Sequence, residues 1–203
     1  MKREEVEGFL RHPRLAQRAD PLPVHPGLED RAHLLRLRAP EELLHAADHV
    51  FYQSQFCRMS ADRYLGRRQG PSEILYNAVD TRVFTPAASR DDRPLTLLLG
   101  GTQAHFYRLE SALRALAELQ RRGVRSTLVV TGRLRWVSNA AVAARQATQL
   151  VRELGLEAQV RFVGSYRQED APAVYRAAQI LVHPQVNDAC PGVVLEAMAC
   201  GLP

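Results

Sequence analysis

HPQVNDACPGVVLEAMACGLP, residues 183–203, is the stretch of sequence that decides the fold. It begins where an apolar run, residues 180–182, ends at Pro184, passes through a polar turn and re-enters an apolar, alanine-rich segment. This order of signals predicts a strand, a loop and a helix. We expect the helix to begin at Pro191 or Gly192, because the fixed backbone angle of proline suits a first helical turn.

Two carboxylates stand eight positions apart in this stretch, Asp188 in the loop and Glu196 about one turn inside the helix. The amides of Gly192, Val193 and Val194 are predicted to be free at the helix start, where a helix attracts phosphate. Ionised carboxylates only accept hydrogen bonds, and sugars supply hydroxyl donors. The combination predicts a nucleotide sugar as the ligand. A structural alternative stays open, in which Asp188 caps the turn and Glu196 is a solvated helix residue.

This stretch resembles the signature of the retaining glycosyltransferases of family 4, the group 1 type, which have the GT-B fold of two facing Rossmann-like domains. That signature has two acidic residues separated by seven others, ahead of a helix like EAMACGLP. Here the pattern is Asp188, seven residues and Glu196, and residues 196–203 read EAMACGLP. Asp188 replaces the more usual glutamate, and the form NDxCPxVVLEA, which begins at Asn187, resembles a bacterial branch with this variant.

A second resemblance to the same family lies in the middle of the chain. Residues 50–66, VFYQSQFCRMSADRYLG, look like the last strand and helix of the amino-terminal domain. Residues 74–86, ILYNAVDTRVFTP, look like the connection into the second domain, with Ala78 where glycine is usual. The resemblance implies that residues 1–86 are a remnant of the amino-terminal, acceptor domain and the interdomain connection. Residues 87–203 are expected to form a nucleotide-sugar-binding domain truncated at its carboxyl-terminal end, so the chain is expected to be a fragment.

Apolar residues alternate between strand and helix spacing along the chain. The predicted strands are residues 49–53, 74–76, 95–99, 127–131, 160–163 and 180–183, and the predicted helices are centred on residues 40–47, 54–65, 106–119, 147–154, 173–178 and 192–200. Strands that alternate with helices predict an α/β fold, a Rossmann-like parallel sheet with helices on both faces. Ligands of such sheets bind outside the carboxyl ends of the strands.

Glycines follow three of these strands, and Gly100 and Gly101 follow the first strand of the predicted second domain. Glycine lets a ligand approach the backbone closely, although a single glycine after a strand more often serves the turn. We therefore include Gly100 and Gly101 among the candidate donor-binding residues. Neither GxGxxG nor GxxxxGK[ST] occurs, which disfavours a dinucleotide dehydrogenase and a P-loop NTPase.

The family resemblance also implies a basic pair that binds the donor diphosphate after this strand. The matching stretch, residues 100–111, contains no lysine, and Arg108 and Arg133 are the nearest counterparts. A guanidinium can bind phosphate through two parallel hydrogen bonds. His105 is predicted either to hydrogen-bond the donor or to serve the structure of the loop.

The resemblance implies transfer of a sugar from a nucleotide-sugar donor to an acceptor, with retention of the anomeric configuration. It assigns the ribose hydroxyls to Glu196, the hydroxyls of the donor sugar to Asp188, and the phosphates or sugar to the amides of residues 192–194. Arg108 or Arg133 is expected to hold the leaving diphosphate. The activity of the fragment itself is left open, as are two alternatives: a nucleotide-sugar epimerase of the same architecture, and a non-catalytic nucleotide-binding module.

Composition sets the remaining expectations. The chain of 203 residues is 46% hydrophobic and 24% charged, the balance of a soluble globular protein. Its net charge of +5 comes almost wholly from arginines that are spread among acidic residues, so no nucleic-acid partner is predicted.

Neither a disulfide framework nor a zinc site is indicated by the three cysteines, which lack CxxC spacing. We expect no metal and no cofactor besides the nucleotide-sugar substrate. The amino terminus lacks an apolar signal core, and no run approaches the roughly 18 apolar residues of a membrane span. The expected location is therefore the cytoplasm, with peripheral membrane contact and the identity of the acceptor left open.

Overall fold

A computed structural model describes residues 40–88 and 94–203 of the chain. The first 39 residues of the predicted amino-terminal remnant lie outside the described residues. Packing divides the described chain into two units. The smaller contains residues 59–72 and the described residues up to 50, and the larger contains residues 51–58, 73–88 and 94–203. The domain boundary after residue 86 stays a prediction.

Two short strands and two helices form the first part of the described chain. They are helix α1 over residues 40–46, strand β1 (Val50–Tyr52), helix α2 (Gln55–Tyr64) and strand β2 (Ser72–Ile74). Strands β1 and β2 pair with each other in a two-stranded sheet. Within the smaller unit, the Arg68 guanidinium donates to the carbonyls of Leu44 and Ala47 and so ties the end of α1 to the segment after α2.

The predicted strand at residues 74–76 is wrong by two positions, because the structure places β2 at Ser72–Ile74. Leu75 and Tyr76 have exposed fractions of 60% and 65%, so their apolar side chains do not face a core. An apolar run predicts a buried strand only where another element covers it, and none of the described elements covers these two residues.

A four-stranded parallel sheet forms the centre of the larger unit, with the strand order β5-β4-β3-β6. Its strands are β3 (Leu95–Leu99), β4 (Ser126–Thr131), β5 (Val160–Gly164) and β6 (Ile180–Val182). Its helices are α3 (Phe106–Arg121), α4 (Ala140–Glu153), α5 (Ala171–Arg176) and α6 (Gly192–Ala199), with one 3-10 turn at Gln168–Asp170. Each strand lies within one or two residues of its predicted position.

Strand β3 is covered on both faces, because its alternating side chains enter two different apolar clusters. Leu97 and Leu99 pack in a cluster with α3 and α4, whereas Leu98 packs with α5 and α6. Leu98 and Leu99 have exposed fractions of 1% and 0%. The prediction of a parallel sheet with helices on both faces is therefore confirmed.

Helices α4 and α5 begin before the apolar residues from which they were predicted. Helix α4 starts at Ala140, because the Asn139 side chain accepts hydrogen bonds from the amides of Ala141 and Val142 and caps the helix. Helix α5 starts at Ala171, with Pro172 in its first turn. Caps and first turns carry polar or small residues, which apolar spacing does not detect.

The glycines after the strands allow backbone segments to approach one another. Gly101, Gly132 and Gly164 have φ angles of 78°, 79° and 78°, a region that favours glycine. A Cβ atom at Gly132 would lie 2.1 Å from the carbonyl oxygen of Gly101. The turns after β3 and β4 therefore touch through their main chains, and Gly132 is required at that contact.

Two alanine substitutions distinguish the effect of this contact on stability from the effect of backbone strain. Gly155 has a φ of 65°, and a Cβ atom added there would meet nothing within 4 Å, so Gly155→Ala should cost only about 1–2 kcal/mol of unfolding free energy. Gly132→Ala should cost at least about 3 kcal/mol, because it adds the clash with the Gly101 carbonyl. Urea unfolding measures both losses, and equal losses would contradict the role of the contact.

Candidate active site

Glu196 is the fifth residue of α6, and both of its carboxylate oxygens accept hydrogen bonds. The Gln168 amide nitrogen donates to Oε1 at 2.8 Å, and the Tyr175 hydroxyl donates to Oε2 at 2.7 Å. Tyr175 is fully buried in the last turn of α5. Glu196 is thus held in one orientation by two neutral donors and is not simply a solvated helix residue.

The Tyr175 hydroxyl is the donor in this pair. Burial raises the pKa of Tyr175 far above its ordinary value, and hydrogen bonding with Glu196 and Tyr166 raises it further. The hydroxyl therefore keeps its proton. A carboxylate has about four acceptor positions on its two oxygens, and Tyr175 and Gln168 use one on each oxygen. Each Glu196 oxygen keeps one acceptor position for a further donor.

Asp188 lies in the loop between β6 and α6, as predicted. Its Oδ2 atom is 3.2 Å from Nε2 of His183, the residue that directly follows β6. Because a carboxylate only accepts, Nε2 of the imidazole is the donor. The His183 Nδ1 atom is buried and has no hydrogen-bond partner within the described ranges. His183 therefore orients one oxygen of Asp188 and leaves Oδ1 available.

The start of α6 differs in one respect from the prediction of three free amides. The Val194 amide donates to the Pro191 carbonyl at 3.0 Å, because the first turn closes with an i to i−3 bond. The prediction of a free amide at Val194 is therefore wrong. In the part of the chain that the structure describes, the amides of Gly192 and Val193 have no acceptor.

Arg108 lies in the first turn of α3 and has an exposed fraction of 6%. Its Nη1 donates to the Thr102 carbonyl at 2.9 Å and its Nη2 to the Gly100 carbonyl at 3.3 Å. Burial lowers the pKa of Arg108, while the neighbouring Tyr107 and Asp188 raise it. This buried cation therefore holds the turn after β3.

Several contacts join the turn after β3 to the loop and helix that follow β6. A Cβ atom at Gly101 would lie 3.5 Å from Cγ1 of Val193 at the start of α6. The Tyr107 hydroxyl, in the first turn of α3, accepts from the Val186 amide at 3.2 Å. The structure thus brings Gly101, Val193 and the Asp188 loop to one edge of the sheet.

Other candidates are less closely joined to this edge. Arg133 is exposed, and its main-chain carbonyl accepts from the Gln103 amide at 2.8 Å. Asp188 and Glu196 have separate hydrogen-bond partners and share none among the described side chains. His105 stacks on Tyr107 with ring centroids 5.6 Å apart, which favours its structural role.

Three residues that contact the acidic pair were missed by sequence reasoning. His183, Gln168 and Tyr175 each lie at the end of an element or inside a helix, and Tyr175 falls on an apolar helix face. Apolar spacing assigns such a tyrosine to the core, which is correct for its ring. Apolar spacing does not predict that the Tyr175 hydroxyl donates to Glu196.

One large groove of the described chain lies away from these residues. It has a volume of about 700 Å³ and runs along β4, β5 and α5, lined mainly by apolar side chains such as Leu98, Val129 and Val160. None of the candidate residues lines it. This groove is a face of the sheet beside edge strand β5.

The described residues contain no group of three or more histidine, cysteine, aspartate or glutamate side chains arranged to hold a metal ion. Within the same ranges, no helix has the length and apolar character needed to cross a bilayer.

Comparisons with known proteins concern the family of the chain. Residues 93–203 match the family model described as glycosyl transferases group 1. The D-inositol 3-phosphate glycosyltransferase of Nocardiopsis dassonvillei is 30% identical over 179 residues, which cover 83% of this chain and 42% of that protein. The enzyme of the same name from Corynebacterium diphtheriae is 29% identical over 142 residues, which cover 64% of this chain and 33% of that protein.

Solved structures show the same architecture. Sucrose-phosphate synthase from Thermosynechococcus elongatus superposes with a TM-score of 0.70 at 26% identity and covers 84% of this chain and 43% of its own. HepE from Anabaena, in complex with UDP and glucose, gives a TM-score of 0.67 at 22% identity and covers 83% of this chain and 47% of its own. The chain therefore spans less than half of each of these four proteins.

Substitution of Tyr175 by phenylalanine tests the support of Glu196. Tyr175→Phe should lower the unfolding free energy by about 1–3 kcal/mol, because a half-buried carboxylate loses a donor. Tyr64→Phe, at a tyrosine with 51% of its surface exposed, is the control and should change little.

The loss should also depend on pH in a defined direction. The pKa of Tyr175 is higher in the folded chain than in the unfolded chain. Its hydroxyl therefore contributes its full stabilisation below the unfolded pKa of about 10, and this stabilisation is lost as pH rises above that value. The stability difference between the wild type and Tyr175→Phe should therefore be constant from pH 7 to 9 and narrow above about pH 10. A difference that widens there would contradict this account.

Proposed function

The chain belongs to the group 1 glycosyltransferases, and from this we propose that it binds a nucleotide sugar and serves transfer of the sugar to an acceptor with retention of configuration. The observation that carries the proposal is the held carboxylate of Glu196. Its neighbours at the same edge of the sheet are suited to the other parts of such a donor.

Glu196 is suited to a pair of adjacent hydroxyls, as on a ribose. Each of its oxygens has one donor within the protein and one remaining acceptor position. Two adjacent hydroxyls can therefore each donate to a different oxygen. Because Tyr175 is buried and keeps its proton, the carboxylate is oriented before the ligand arrives, which reduces the entropy lost on binding.

Asp188 is suited to the hydroxyls of the transferred sugar. His183 donates to Oδ2, and Oδ1 remains available as an acceptor. Aspartate is shorter than the glutamate usual in the family signature. The contact with His183, at the end of β6, gives the shorter side chain a fixed direction.

The diphosphate has two sources of positive potential nearby. The amides of Gly192 and Val193 have no acceptor among the described residues, and they lie at the positive end of a helix. Arg108 is a buried cation in the first turn of α3. We assign the diphosphate to this pair ahead of the exposed Arg133, since a buried charge is screened less by solvent.

In the proposed reaction the bond between C1 of the sugar and the diphosphate oxygen breaks, and an acceptor oxygen bonds to C1 on the same face. The diphosphate leaves with the bonding electrons, and its oxygen takes up the proton that the acceptor hydroxyl loses. Arg108 and the start of α6 stabilise the negative charge that develops on the leaving group. Asp188 and Glu196 bind the donor and hold it in position.

Removal of Glu196 tests donor binding. HepE was solved with UDP and with UDP-glucose, so UDP is a suitable probe. Glu196→Ala should weaken UDP binding by roughly tenfold to a hundredfold, since a hydrogen bond to a charged group contributes about 1.5–3 kcal/mol. Glu153→Ala, which removes an exposed carboxylate at the end of α4, is the matched control in calorimetric titration. Unchanged affinity in Glu196→Ala removes this residue from the site.

The stereochemistry of the released sugar tests retention. During slow hydrolysis of UDP-glucose by the chain, proton NMR should detect α-glucose first, because water then replaces the acceptor on the same face. Asp188→Ala should retain UDP binding and release glucose at least about tenfold more slowly. Initial release of β-glucose refutes retention. Tight UDP binding without any glucose release favours the non-catalytic module only if it persists when the chain is joined to the parts of the GT-B fold that it does not contain.

A further inference from the structure

The loop that carries Asp188 is held by two side chains from much earlier in the sequence. Ser54 Oγ donates to the Ala189 carbonyl at 2.7 Å, across 135 positions of sequence. Asn77 Nδ2 donates to the Cys190 carbonyl at 2.8 Å, across 113 positions. We propose that Ser54 and Asn77 are positioning residues, which fix Asp188 and the start of α6 for binding of the nucleotide sugar. The ligand part of this proposal rests on the proposed function.

The two accepting carbonyls lie directly between the candidate residues. Ala189 follows Asp188, and Cys190 precedes the Pro191 that leads into α6. The peptide between Cys190 and Pro191 has no N–H group, so its carbonyl is its only polar atom. Residues 183–191 form no helix or strand of their own. Side-chain donors therefore replace the hydrogen bonds of regular structure in setting the planes of these peptides.

Ser54 is directed at Ala189 by its position at the start of α2. Its Oγ atom accepts from the Cys57 amide at 3.1 Å, which is the hydrogen bond of a helix cap. A hydroxyl has one proton to donate in addition to its acceptor positions. Because the cap holds the oxygen in place, that proton is committed to the Ala189 carbonyl. The same hydroxyl thus begins a helix and holds the loop.

Asn77 is oriented in a comparable way. Its Oδ1 accepts from the Gln53 side-chain amide at 3.2 Å. With the oxygen of the asparagine amide occupied in this way, the nitrogen faces Cys190. Both donors belong to the same compact unit as the loop, in residues 51–58 and 73–88. Each is therefore held by its own neighbour before it meets the loop.

Two aspartate substitutions remove the donors while they keep the local contacts. Ser54→Asp retains a cap for α2, because aspartate is also a good capping residue, but its carboxylate cannot donate to Ala189. Asn77→Asp can still accept from Gln53 and cannot donate to Cys190. Ser54→Thr keeps both the cap and the donor. Asn139→Asp is the charge control, because Asn139 uses only its oxygen, to cap α4.

The first measurement is amide hydrogen exchange in the 203-residue chain. The amides of Val186, Val194 and Leu195 are hydrogen-bonded on either side of the held carbonyls. Their exchange should be roughly fivefold to tenfold faster in Ser54→Asp and in Asn77→Asp, the effect of one lost hydrogen bond. Exchange in Ser54→Thr and Asn139→Asp should match the wild type.

The second measurement is UDP affinity by calorimetric titration, which should fall by a similar factor in the two donor-deleted variants and in neither control. Unchanged exchange in both aspartate variants overturns the proposal. Faster exchange with unchanged UDP affinity shows a structural bond only and overturns the positioning role. A wild-type chain that binds none of UDP, GDP and ADP refutes the proposed function and the ligand part of the proposal, while the exchange data still decide whether the bonds hold the loop.

Discussion

Burial of strand β3 on both faces is the constraint on which the rest of the larger unit depends. Its sequence, LTLLL, places apolar side chains on both sides of the sheet, and each side requires a covering layer of helices. Because its partners β4 and β6 run parallel to it, the carboxyl ends of all three strands lie at one edge. The turn at Gly100–Gly101 and the Asp188 loop meet there as a result.

Polar groups at this edge are held mainly by neutral donors. Glu196 accepts from a tyrosine and a glutamine, and no arginine or lysine of the described chain pairs with it. An ion pair would occupy the carboxylate and compete with ligand hydroxyls, whereas the two neutral donors orient it and leave acceptor positions on both oxygens. Arg108 is instead bonded to main-chain carbonyls of the turn after β3. The positive charge of Arg108 and the hydrogen-bond acceptors of Glu196 are therefore not paired with each other.

The sequence-based predictions miss features where a local pattern does not show which segment or backbone group a residue contacts. The run at residues 74–76 is apolar, but Leu75 and Tyr76 remain exposed, so β2 lies two residues earlier. Val194 was predicted to have a free amide, although the first turn of α6 closes onto Pro191. Gly132 serves its turn as expected, with a φ of 79°, but its close approach to the carbonyl of Gly101 was not predicted. In each case the decisive contact is made by another segment or by backbone geometry.

The sequence by itself determined the α/β class, the order of the strands and helices in the larger unit, and the placement of Asp188 in a loop and Glu196 in a helix. These features follow from spacing along the chain, because the periods of strands and helices are local properties. Only the tertiary structure decided that Tyr175 and Gln168 hold Glu196, that His183 orients Asp188, and that Ser54 and Asn77 bond to the loop between them. Such hydrogen bonds join residues up to 135 positions apart, and their geometry exists only after the sheet has brought those segments together.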